Sequence, residues 1–186
     1  MIEHDPDAAL LPRIAAGDQT AIRQFVALKL PRLIALGVRM LGSRAEAEDM
    51  AQETFVRVWK NAATWREDGA KFDTWMHRVA LNLCYDKLRG RQEYSDEEIP
   101  EQIDPDLIPE QRLAASQQGD QVTNALAMLP TRQREALVLQ YYQEFSNVEA
   151  AGLMQISVEA LESLLSRARR NLKALLFQQG FVKETT

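Results

Sequence analysis

The 186-residue chain has one cysteine, Cys84, and only two histidines, His4 and His77. A lone cysteine permits no internal disulfide and suits a reducing compartment, and so small a Cys/His inventory excludes the usual kind of zinc site. No run approaches the roughly 18 uninterrupted apolar residues of a membrane span. The first residues, MIEHDPDAALLPR, are acidic and lack the apolar core of a secretion signal, so a cytoplasmic location is expected. Enzyme chemistry is equally absent. There is no glycine-rich phosphate loop, no metal-ligand cluster and no Ser/His/Asp set. Neighbouring carboxylates such as Glu48-Asp49 and Glu97-Glu98 point apart rather than at one substrate. The chain therefore reads as a non-enzyme, with no cofactor and no metal. What it does contain, 46% hydrophobic and 26% charged residues, is the composition of an ordinary folded protein.

The net charge of −5 is unevenly placed. Residues 1–93 hold 14 basic and 13 acidic side chains, and residues 118–186 hold seven of each. The excess acid lies in residues 94–117, with seven acidic side chains against Arg112 alone. That stretch also carries Pro100, Pro105 and Pro109, which a continuous helix cannot cross, and its like charges repel one another. It reads as a linker between two lobes, the alternative being a long surface loop within one domain.

Both lobes show helical periodicity and no convincing alternation of period two, so the expected fold is all-α: an N-terminal helical bundle and a C-terminal helix-turn-helix domain. Ser43 and Glu46 have capping-box spacing. Ala47, Met50, Ala51, Thr54, Phe55, Val58 and Trp59 then form the core stripe of a helix, opposite Glu48, Asp49, Gln52, Glu53, Val56 and Arg57. Periodicity alone makes that second face solvated. Upstream, Ile22, Phe25, Val26, Leu30, Leu33, Ile34, Leu36 and Leu41 add apolar surface, with an interruption or kink expected at Pro31 and a stop at Gly42. Downstream, Phe72, Trp75, Met76, Val79 and Leu83 keep helical spacing beside His77, Arg78, Asn82, Tyr85, Lys87, Arg89 and Arg91. Cationic and flat aromatic groups on one element suit phosphate contacts and stacking on unpaired bases; the plainer reading makes the arginines solubility and Trp75 core. Lone His77 reads as a surface or packed residue.

In the second lobe, TRQREALVLQYYQEF reads as a partly buried helix through Ala136, Leu137, Leu139 and Tyr141. Ser146 and Glu149 form a second capping box, opening a short helix that ends near Met154, and Ser157 is placed to cap the next. In that longer helix Leu161, Leu164, Leu165, Ala168 and Leu172 face inward, leaving Glu159, Glu162, Ser163, Ser166, Arg167 and Arg170 outward. This is the layout of a helix-turn-helix, whose second helix fits the major groove; a plain helical hairpin with a basic end shares it.

Three segments in order resemble the small two-domain RNA polymerase sigma factors of the extracytoplasmic-function (ECF, group 4) type in the sigma-70 family. They are AEDMAQETFVRVW (residues 47–59), the F-x-x-W-M-x-x-V-A-x-N string from Phe72 to Asn82, and LPTRQREAL with the helix-turn-helix. The resemblance runs from about Gly17 to Arg91 and from about Gln118 to Leu176. It implies that residues 1–93 bind core polymerase and melt the downstream promoter element, that residues 94–117 thread through the enzyme, and that residues 118–186 read the upstream element. Asp49, Gln52, Glu53 and Val56 would contact the β′ clamp, and the second lobe the β flap. Trp65, Arg66, Lys71, Arg78 and Asn82 would handle a flipped downstream base, with Arg89 and Arg91 on phosphates. Glu159, Glu162, Ser163, Ser166, Arg167 and Arg170 would face the upstream element. Many relatives carry basic residues where this chain has Glu162 and Leu164, and glycine in place of Gln155. Control by an anti-sigma factor, in a stress or envelope response, is a further implication. The competing reading is a dimeric helix-turn-helix regulator without sigma activity, which would bind a palindromic duplex unaided.

Overall fold

The structure, a computed structural model, describes residue 7 and residues 9–66, 71–97 and 117–178. Every regular element among them is helical. A short helix, α1 (Leu11–Ala15), carries Pro12 in its first turn, where a backbone N–H would have no intrahelical partner, and buries Leu11 and Ile14. In α2 (Gln19–Leu41) the Asp18 carboxylate accepts from the N–H groups of Thr20 and Ala21 at 2.9 and 3.2 Å. Gly42, at φ 71°, ends it by returning its N–H to Val38. Of the interruption or kink expected at Pro31, the interruption does not occur, and α2 is helical on both sides of it. Pro31 and Ala27, the residue whose carbonyl loses its donor, both lie on the exposed side, where solvent tolerates the defect.

Ser43 caps α3 (Arg44–Asn61) by accepting from the Glu46 N–H at 3.4 Å. The reciprocal half of the expected capping box is replaced. Glu46 turns its carboxylate to Arg91, with Nε to Oε1 at 3.2 Å, because a charged fork outcompetes a single neutral N–H. Arg91 belongs to α4 (Phe72–Glu97), which runs four residues into the segment read as linker. No proline stands before Pro100 to stop it. The rest of that segment up to Ser116 lies outside the described residues.

The bundle closes on an aromatic cluster. Phe25 meets Phe55, Trp59 and Phe72 edge-on at 5.9–6.1 Å, and Phe72 meets Trp65 and Trp75 at 5.3 and 5.2 Å. Trp75 and Val79 are half-buried, and Leu30, one of the apolar residues of α2, is exposed. The crossing of α2 and α3 is set by Gly37. A Cβ there would lie 2.7 Å from the Ala47 Cβ and 2.9 Å from the Ala47 Cα.

The second lobe contains α5 (Gln117–Met128), α6 (Thr131–Leu137), α7 (Asn147–Met154) and α8 (Val158–Gln178), with a π-helical turn at Val138–Tyr142 after α6. Ser146 and Glu149 make the full capping box, and Ser157 accepts from the Ala160 N–H at 3.1 Å. The π turn shifts the register that the apolar pattern suggested, and Tyr141, expected to be partly buried, is 55% exposed. Arg134, itself buried, donates to the carbonyls of Leu126, Ala127 and Leu129 at the end of α5 and also to the Met40 carbonyl of α2. One continuous apolar core therefore spans both lobes.

Candidate nucleic-acid interface

On α4, Arg78, Asn82, Tyr85 and Arg89 follow at intervals of four, three and four, which aligns them on one stripe. The stripe faces the second lobe. Arg78 donates to the Gly152 carbonyl of α7 at 3.2 Å, and the Tyr85 hydroxyl donates to Glu135 of α6 at 2.5 Å. Asn82 lines a cleft of about 320 Å³ between them, together with Leu81, Arg132, Leu153 and Gln155. Burial pushes the Glu135 carboxyl above its usual range, although Tyr85 and Arg132 both donate to it. Burial and that carboxylate also push the Tyr85 phenol up. Arg89 pairs with Asp86. Arg91 lies on the opposite side of α4, bonded to Glu46 and the Leu41 carbonyl, so the two arginines assigned to phosphates do not share a face.

At the start of α4 the arrangement is mixed. Trp65 is half-buried against Phe72, and the exposed Arg66 donates to the Trp65 carbonyl at 3.2 Å. Lys71 lines a polar cavity of about 300 Å³ with Asp7, Lys29, Arg32 and Asp73. Residues 67–70 of this loop lie outside the described residues. Lys29, buried, bonds Asp7 and Asp73 at 2.6 Å each. Burial opposes its charge, but the two carboxylates outweigh that and hold the ammonium above its ordinary value. Burial likewise opposes the Asp73 charge, and the neighbouring His77, Lys29 and Arg32 outweigh it and hold the carboxyl low.

Periodicity gave no sign of the residues that join the lobes. His77 is fully buried, with Nδ1 2.8 Å from the Asp73 carbonyl, Nε2 3.1 Å from Gln143 Oε1 and its ring edge-on to Phe145 at 4.9 Å. Gln143 also donates to the Arg32 carbonyl at 3.2 Å, while Arg32 donates to the Gln143 carbonyl at 2.8 Å. The Arg39 guanidinium stacks 3.8 Å above the Tyr142 ring. Gln143 and Phe145 follow the π turn, so no helical spacing announces them.

Two further polar surfaces are open among the described residues. On α3, Asp49, Gln52, Glu53 and Val56 form an exposed stripe, and the Glu53–Arg57 pair at 3.1 Å on it is a solvated one. On α8, Glu159, Ser163, Ser166 and Arg170 form the outermost stripe, flanked by Glu162 and Arg167, all six exposed. Leu161, Leu165 and Ala168 are buried beneath, while Leu164, expected in the core stripe, is only partly covered.

Among the described residues the body is all-helical, with an acidic face exposed on α3 of one lobe and the second helix of a helix-turn-helix exposed on the other, the layout of a DNA-binding helical protein. Models of Sigma-70 region 2 and Sigma-70 region 4 match residues 25–94 and 119–172. The chain belongs to the extracytoplasmic-function type of RNA polymerase sigma factors, the subunits that bind core polymerase and direct promoter-specific initiation. It is 30% identical to the ECF sigma factor SigW of Bacillus subtilis, over 89% of this chain and 94% of the relative. Its fold is similar to RpoE in complex with the anti-sigma factor NepR from Bartonella quintana, with a TM-score of 0.66, 28% identity and coverage of 83% and 96%. It is also similar to CnrH in complex with the cytosolic domain of CnrY, with a TM-score of 0.66, 29% identity and coverage of 92% and 97%. No helix among the described residues is long and apolar enough to cross a membrane.

Proposed function

We propose that this sigma subunit acts in the cytoplasm without catalysis of its own, and that it docks on polymerase before it can read a promoter. The supporting observation is that the two polar faces are engaged differently. Arg78 and Tyr85 of α4 donate to Gly152 and Glu135 of the second lobe and Asn82 lines the cleft beside them, although Arg78 and Asn82 keep solvent exposure. The exposed α3 face with Asp49, Gln52, Glu53 and Val56, by contrast, carries only the Glu53–Arg57 pair within its own helix among the contacts described. In this reading residues 1–93 carry the polymerase and downstream-element contacts, residues 94–117 form the connecting strap and residues 118–186 hold the upstream-element reader. The groove lined by Leu126, Leu137, Tyr141, Tyr142, Leu172 and Leu176 is the apolar surface of the second lobe suited to the β flap. The complexes of RpoE with NepR and of CnrH with CnrY support control by an anti-sigma factor.

Charge reversal tests the docking face. Asp49→Lys with Glu53→Lys weakens binding to core polymerase at least tenfold in a fluorescence titration, while circular dichroism stays unchanged. Unaltered affinity removes this face from the interaction. Tight, palindrome-dependent binding to duplex DNA by the chain alone supports the dimeric regulator instead.

A further inference from the structure

The first turns of α8 carry two acids, Glu159 and Glu162, on its solvent side, while Arg167, Arg169, Arg170 and Lys173 occupy the later turns. The two acids are not equivalent. Glu159 folds back on the helix start, where its own backbone N–H and the Ser157 hydroxyl donate to its carboxylate and hold it below the ordinary value. It belongs to the cap. Glu162 is held from one side only, by Asn147 Nδ2 donating to Oε1 at 3.4 Å. Asn147 is fixed in turn by Gln140, whose Nε2 donates to Asn147 Oδ1 at 2.7 Å, and Gln140 Oε1 accepts from Arg169 at 3.3 Å. Glu162 and Arg169 stand seven residues apart on one flank of α8, so this chain of bonds braces both against the π-helical turn. Glu162 itself is exposed, beside the outer stripe of Glu159, Ser163, Ser166 and Arg170.

A carboxylate only accepts. In the major groove cytosine N4 and adenine N6 offer a proton, whereas guanine O6 and N7 and thymine O4 are acceptors that repel it. Adenine also sets N7, an acceptor, next to its amine, so a carboxylate suits cytosine better. Resting on the reading of α8 as the upstream-element helix, we infer that Glu162 is a specificity-determining residue that selects cytosine at one position of that element, with Asn147 as its positioning residue.

The test uses holoenzyme reconstituted from bacterial core polymerase and the full chain, transcribing a promoter library randomised across the upstream element. With the native chain, one position favours cytosine about tenfold over guanine or thymine, the size of one charge-assisted base contact. Glu162→Gln moves that position toward adenine, because a carboxamide bonds N6 and N7 together. Glu162→Ala levels it. Asn147→Ala reduces the cytosine preference several-fold there and leaves neighbouring positions alone, whereas a merely structural role would weaken all positions equally. A base preference unchanged in both Glu162 variants overturns the assignment. A native holoenzyme that initiates nowhere overturns the underlying reading of the chain, and the assignment falls with it.

Discussion

Lys29 illustrates how a single buried charge ties distant segments together. Its ammonium sits between Asp7, ahead of α1, and Asp73, at the start of α4. Removing Asp73 as Asp73→Ala leaves that cation buried with half its partners and costs about 3–5 kcal/mol in urea unfolding. The pH dependence follows from the depressed Asp73 carboxyl. A group whose folded pKa is lowered contributes stability above its unfolded value, near 3.8, and loses it as the pH falls through the folded one. Asp73→Asn therefore flattens the acid limb of the stability curve below about pH 4. Glu135, raised by burial, has the opposite sign: its contribution is complete below 4.5 and fades as the pH rises through the elevated value. Glu135→Gln consequently gains stability relative to the native chain as the pH rises from 4 to 7, read as the unfolding midpoint at each pH. Neither group stood out in the sequence, since burial and partners 44 and 50 residues away leave no local mark. The outward residues of α3 and α8 were legible, because helical spacing assigns a face without knowledge of what packs on it. Cys84, buried with its thiol pushed up to about 12, takes no part in this chemistry.

At the scale of elements, stops and caps were read more accurately than registers. Gly42, Ser43, Ser146 and Ser157 mark their boundaries because capping is a short-range contest over unsatisfied backbone groups. The unbroken α2 and the π turn were missed for the opposite reason, since solvent tolerates a backbone defect on an exposed face and tertiary packing tolerates an inserted residue, and neither leaves a local signal. The α2–α3 crossing supplies a direct test. Gly37→Ala would force its methyl against the Ala47 backbone, so the helices must separate, with a loss of about 1–3 kcal/mol in chemical denaturation. Gly152→Ala, with open space around it, serves as the control and leaves the first lobe's packing unchanged.

At the scale of the molecule, the all-helical fold and its sigma membership were legible, and the seam between the lobes was not. Composition showed an acidic stretch between two helical regions; nothing in it said that His77, Gln143 and Phe145 would interlock across the join. Weakening that seam from the second lobe, with Gln143→Ala and Phe145→Ala together, increases binding of the free chain to an unpaired downstream-element oligonucleotide several-fold, measured by fluorescence anisotropy. A chain whose binding does not change has its α4 stripe accessible already. The seam also bears on economy in the cell. If α4 reads the downstream element, idle copies keep Arg78 and Tyr85 committed to Gly152 and Glu135, so transcriptional output follows the supply of vacant polymerase rather than the abundance of the subunit.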